Sequence, residues 1–176
     1  GAPGLPARQR RAELDRAVAD AAKGSPAELL IASATRARFQ GDFTTAQALF
    51  RSAAALLPND PNVAFQLAMS TGQIPGNRYT ESIAPLRGLT TRFPDYAPAY
   101  NIIAYSLFRS GDRVGSLEMV KQYVAKLPND ANPHDSSAEI LAWNGRFDEA
   151  LVEYKRAVAI DAEYLVGYLG QAEVYA

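Results

Sequence analysis

Between Thr44 and Leu57 the apolar residues Ala46, Leu49, Phe50, Ala53 and Leu57 recur at helical spacing and lie on one face of a predicted helix. Pro58 forbids its continuation. Upstream, the stretch from Pro26 to Gln40 reads as another helix, the first of a pair. Ser25 caps it, Pro26 suits its first turn, and Glu28 completes a capping box with Ser25. Gly41 ends this first helix, and Asp42 or Thr44 caps the next. So short a link forces the two helices to run antiparallel.

The same pattern returns down the chain. LPND occurs at Leu57–Asp60 and again at Leu127–Asp130, 70 residues later, with RFPD at Arg92–Asp95 between them. Ala34, Ala68, Ala104, Ala138 and Ala172 follow one another at steps of 34, 36, 34 and 34 residues. Gly41, Gly111 and Gly145 keep the step, with Asn77 in the second unit, and both residue types tolerate the left-handed conformation that closes a helix. A period in the range of about 20 to 50 residues marks a stacked-repeat architecture. Small residues recur where paired helices would cross: Ala34 with Ala46, Ala68 with Ser82, Ala104 with Ser116, and Ala138 with Ala150. Phe50, Leu86, Val120 and Tyr154 recur one turn further on and would fill the space toward the next unit.

Helical pairs of about 34 residues, with small residues at the crossing, a Gly-Asp turn and a closing proline, resemble the tetratricopeptide repeat. The stretch Ala138–Asp161, AEILAWNGRFDEALVEYKRAVAID, is the most similar to it. The resemblance implies an all-α, right-handed α-solenoid of stacked antiparallel helix pairs. On this reading residues 25–60, 61–96, 97–130 and 131–164 are four repeats, the second with two extra residues near 72–79. Residues 1–24 read as the second helix of a preceding repeat or as a cap. Residues 165–176 read as the first helix of a fifth repeat or as a capping helix, which suggests a piece of a longer array. Ala162 replaces the closing proline of the fourth repeat, so a less sharply defined helix end is expected there.

Composition narrows the function classes. The formal net charge of −1 offers no global field to draw a nucleic acid or an anionic membrane. The arginines at 8, 10 and 11 are followed by Glu13, Asp15 and Asp20 on the same helix, which reads as a solvated face. No apolar run reaches the roughly 18 to 20 residues of a membrane span, so a soluble chain is expected. With no cysteine, disulfides and thiolate chemistry are excluded, and an exported location remains open beside a cytoplasmic one. His134, Asp135, Ser136 and Ser137 spell hydrolase letters. Consecutive residues on a helix point about 100° apart, however, so they cannot form a relay. The run reads instead as a helix start, with Asn132 capping, Pro133 in the first turn and Asp135 at the positive end of the dipole. A single histidine excludes a multi-histidine metal site. Neither catalysis nor a cofactor is expected.

A partner is expected along the wall of first helices, which the resemblance makes the concave side of the solenoid. The facing stripe runs Glu28, Ile31, Thr35, Arg38, then Asn62, Phe65 and Met69, then Asn101, Tyr105 and Phe108, then Asp135, Glu139 and Trp143. From it Phe65, Met69, Asn101, Tyr105, Phe108, Asp135, Glu139 and Trp143 are the candidate peptide-binding residues. Ile31, Thr35, Gln66, Pro98 and Ile102 stand where a carboxylate-gripping subtype carries basic and amide groups, so that mode is not expected. The expected partner is a protein or peptide segment, apolar or aromatic, with a positive group near Asp135 and Glu139. The alternative is a structural spacer that self-associates through its apolar terminal helix, with Leu165, Tyr168, Leu169 and Tyr175 exposed.

Overall fold

A computed structural model describes residues 6–73 and 79–175. Among these are ten α-helices, a 3-10 turn at Tyr79–Ser82, and no strand. The chain divides into two compact units, residues 1–85 and 86–176.

Unit 1 contains α1 (Ala7–Ala21), α2 (Pro26–Phe39), α3 (Phe43–Leu56) and α4 (Pro61–Thr71), each packed on the one before it. The capping box forms: Ser25 Oγ accepts from the Glu28 amide, and the Ser25 amide donates to Glu28. Asp42, not Thr44, caps α3, accepting from the Thr45 amide. The core of the hairpin is Ala34 and Ala37 on α2 against Ala46 and Phe50 on α3. Ala68 and Ser82 are both buried, and Ser82 Oγ accepts from the Gly72 amide at 3.0 Å, closing the end of α4. Asn77 lies outside the described residues.

Unit 2 begins within α5 (Ile83–Arg92) and continues with α6 (Ala97–Arg109), α7 (Arg113–Lys126), α8 (Ala131–Trp143), α9 (Phe147–Ile160) and α10 (Leu165–Tyr175). α6 pairs with α7 and α8 with α9, while α6, α8 and α10 touch in sequence as one layer. Ala104, Ser116, Ala138 and Ala150 are fully buried at the two crossings.

The hairpins turn by one device. Gly41, Gly111 and Gly145 have φ of 81°, 89° and 77°, a conformation costly to any residue with a Cβ. Around each, the following amide reaches back to the helix: Asp42 to Ala37 O at 3.0 Å, Asp112 to Leu107 O at 2.9 Å, and Arg146 to Leu141 O at 3.0 Å. The glycine amides complete the paired bonds of a Schellman closure.

Three sequence expectations are corrected. α8 starts at Ala131, ahead of Pro133, and Asn132 is not its cap. The Asn132 side chain instead accepts from Tyr123 Oη at 2.8 Å and donates to Tyr164 Oη at 3.3 Å. α9 ends cleanly at Ile160 without a proline, because Asp161 accepts the amides of Glu163 and Tyr164. Ala172, in phase with four buried alanines, is exposed, since no helix among the described residues covers that face of α10. α10 docks on α9 by glycine: a Cβ on Gly170 would lie 2.3 Å from the Tyr154 ring.

The crossings set a prediction. Ala104 is fully buried, with Val120 and Ile140 in its cluster, so Ala104→Leu should destabilise by about 1 to 3 kcal/mol through overpacking. Lys121→Ala, at an exposed position, should be near neutral when both variants are compared by urea titration.

Candidate peptide-binding face

Each candidate residue has a definite setting. In unit 1, Phe65 and Met69 sit one turn apart on α4, both half-buried. Nearby on the sequence stripe, Arg38 donates to Gln66 Oε1 and lies over the Phe50 ring at 5.5 Å. Burial lowers its pKa.

In unit 2, α6 and α8 bring four candidates together. Tyr105 Oη donates to Glu139 Oε2 at 2.5 Å. The Tyr105 ring meets Trp143 edge-on at 5.7 Å, and Phe108 lies 5.1 Å from Trp143. These contacts follow from the repeat: 34 residues separate Tyr105 from Glu139, so equivalent positions on adjacent helices become neighbours. Arg113 covers the Phe108 ring at 5.1 Å and donates to the Trp143 carbonyl at 2.9 Å. Phe108 and Tyr105 also pack against the buried Ala104, Val120 and Ile140. They are thus partly core, whereas Trp143 keeps 40% of its surface exposed.

The polar end of the face is electrostatically uneasy. Asp135 Oδ2 accepts only a 3.5 Å bond from Tyr164 Oη, and Asp135 Oδ1 is sealed from solvent without a partner. Asn101 Oδ1, at the equivalent position on α6, is also sealed and unpartnered. Burial first, then repulsion from Glu139, raises Asp135 to a pKa of about 6. The helix dipole, expected from the sequence to favour this carboxylate, is outweighed. Burial also raises Tyr105, and it pushes Tyr154 up to about 12.

That shift makes a stability prediction. The folded state holds the Asp135 proton more tightly than the unfolded chain, so this group's contribution is present below about pH 4 and lost as pH rises through about 6. Asp135→Asn should therefore stabilise by about 1 kcal/mol at pH 7, a figure reduced for the solvent that reaches the partly exposed side chain. Chemical denaturation should show the gain disappearing at pH 4.

Sequence reasoning missed Tyr154 and Tyr164 as part of this face. Tyr154 had a packing role, and Tyr164 precedes a helix with no spacing that ties it to α8. His134 was read as part of a plain helix start. It is almost fully buried, with Nδ1 2.6 Å from Glu153 Oε2 and Nε2 3.0 Å from the Pro128 carbonyl. On the layer opposite the face, a cleft of about 710 Å³ opens over Leu117, Val124 and Leu141. Glu149 and Glu153 on its rim are already paired, with Arg146 and His134.

Antiparallel hairpins closed by a left-handed glycine and stacked through small residues define a helical-repeat fold of the tetratricopeptide type. Solved structures agree. The thermophilic TPR protein TTC0263 of Thermus thermophilus is similar over 96% of this chain and 90% of its own, at 18% identity and a TM-score of 0.78. MamA of Desulfovibrio magneticus is similar over 86% of this chain and 84% of its own, at 16% identity and a TM-score of 0.67. YrrB, a TPR protein with an unusual peptide-binding site, is similar over 93% and 86%, at 14% identity and a TM-score of 0.66. At such identities the fold is what is shared. No family profile matches the chain, and no curated protein sequence does. No helix among the described residues is long and apolar enough to cross a membrane.

Proposed function

We propose that the protein is a non-catalytic interaction scaffold whose first helices bind a peptide or helix of a partner protein and so support assembly of a complex. In unit 2 the binding residues are Asn101, Tyr105, Phe108, Asp135, Glu139 and Trp143; in unit 1 they are Phe65 and Met69. The observation that carries the reading is Trp143. It is held by Tyr105 and Phe108, yet 40% of it faces solvent, the profile of a pre-organised aromatic anchor. The partner segment is apolar or aromatic. The peptide-binding site of YrrB supports the same class of role by analogy.

A second reading has its own observation. Leu165, Val166, Tyr168, Leu169 and Tyr175 of α10 are each 47% exposed or more, so α10 could instead be the contact surface of a spacer or self-associating segment. Two variants separate the readings. Trp143→Ser should abolish partner capture with little change in thermal melting. Leu165→Ser with Leu169→Ser, both exposed on α10, should leave capture intact. The reverse pattern favours the spacer.

A further inference from the structure

We propose that the aromatic end of the α6 and α8 face in unit 2 takes partner segments that carry an aspartate or glutamate beside their apolar anchor, the carboxylate meeting Arg113 and the anchor meeting Trp143. This rests on the peptide-binding reading above and adds the ligand's charge and its spacing.

Arg113 is the first residue of α7 and is exposed at the turn from α6. A free arginine side chain samples many rotamers, and ordering it on binding costs free energy. Here two contacts hold it in advance. The guanidinium carbon lies 5.1 Å from the centre of the Phe108 ring, and Nη1 donates to the Trp143 carbonyl at 2.9 Å. That carbonyl belongs to the last turn of α8, whose carbonyls lack helical amides to meet them, so the arginine also closes the helix end. A guanidinium carries five N–H donors in one plane, and this capping bond uses Nη1 alone.

No carboxylate among the described residues forms an ion pair with Arg113. The acids on the adjoining elements have other partners. Asp112 Oδ1 caps α7 by accepting from the Gly115 amide, Glu149 pairs with Arg146, and Glu139 accepts from Tyr105. A fixed, solvent-facing cation therefore stands unneutralised beside a tryptophan that is 40% exposed. Tryptophan, tyrosine and arginine are the residue types that carry most binding hot spots, and Trp143, Tyr105 and Arg113 meet here.

The complement of this end is an acid next to an apolar group. A carboxylate matches the guanidinium fork with two parallel hydrogen bonds. We assign a side-chain carboxylate and not a chain terminus, because the positions where a carboxylate-gripping repeat carries basic and amide groups hold Ile31, Thr35, Gln66, Pro98 and Ile102. Phe108 lies 5.1 Å from both the guanidinium and the Trp143 ring, which brings cation and tryptophan within about 10 Å of each other. Side chains two residues apart share one face of an extended segment and stand about 7 Å apart along it, which sets the spacing of acid and anchor.

The test uses the full chain and two blocked peptides. Each has one phenylalanine, with glutamate in one peptide and glutamine in the other placed two residues to either side. Emission from Trp143, the only tryptophan, reports binding. The glutamate peptide should bind about tenfold tighter at low salt, and the advantage should shrink as salt rises to about 0.5 M. In Arg113→Gln the advantage should vanish, whereas Arg113→Lys should keep part of it because the charge remains. The salt titration is made on the unaltered chain, so it decides the matter even where a variant fails to fold. Equal binding of both peptides, a preference untouched by salt, or one that survives Arg113→Gln overturns the acidic assignment and leaves peptide binding standing. No binding of either peptide overturns both.

Discussion

Replacing Phe50 with alanine should destabilise unit 1 by about 3 to 5 kcal/mol, read from the urea midpoint of its helical signal. Phe50 is 1% exposed and fills the space among Ala34, Ala37 and Ala46, with Leu49 and Leu67 at the edge. Three of those five neighbours are alanines, which have no side-chain length with which to collapse into the hole. The cost should therefore fall in the upper part of the range for large-to-small substitutions. The Arg38 guanidinium over the ring would lose its aromatic contact as well. Within unit 1 the loss should fall on the α2 and α3 hairpin, so the transition should also broaden as that hairpin loosens first. A loss under about 1 kcal/mol would mean that the α2 and α3 hairpin is not closed around this ring.

His134→Ala should cost about 2 to 4 kcal/mol, by the same measurement. The histidine links three parts of unit 2: its own helix, the LPND turn through the Pro128 carbonyl, and α9 through Glu153. Both ring nitrogens face acceptors. Removing the ring leaves a carboxylate whose side chain is only 24% exposed, a carbonyl without its donor, and an internal hole. Glu153→Gln should cost less, because its amide oxygen can still accept from the ring. Similar losses for the two variants would mean that charge, not the hydrogen-bond pattern, carries the contact.

The stacked hairpins were legible in the sequence because each is closed by the same local chemistry. Gly41, Gly111 and Gly145 mark left-handed closures, and Ala34, Ala68, Ala104 and Ala138 mark crossings that nothing larger would fit. Phase alone did not suffice for Ala172, since burial also requires a neighbour to bury against. The Tyr105 and Glu139 contact follows from the period once the helices are known. The settings of Asp135 and His134 do not follow from it. Tyr164, after α9, reaches Asp135 and Asn132, and Glu153 crosses from α9 to His134, so their environments depend on side-chain packing that no short motif encodes.

The central functional claim is that partners dock on the face of α6 and α8 and not on the layer behind. A photo-crosslinking residue placed at Phe108 or at Val152, the latter 63% exposed on α9, tests this in the full chain in its native cells. Adducts to a partner protein from position 108 and none from 152 are predicted. Adducts from 152 alone would contradict the claim.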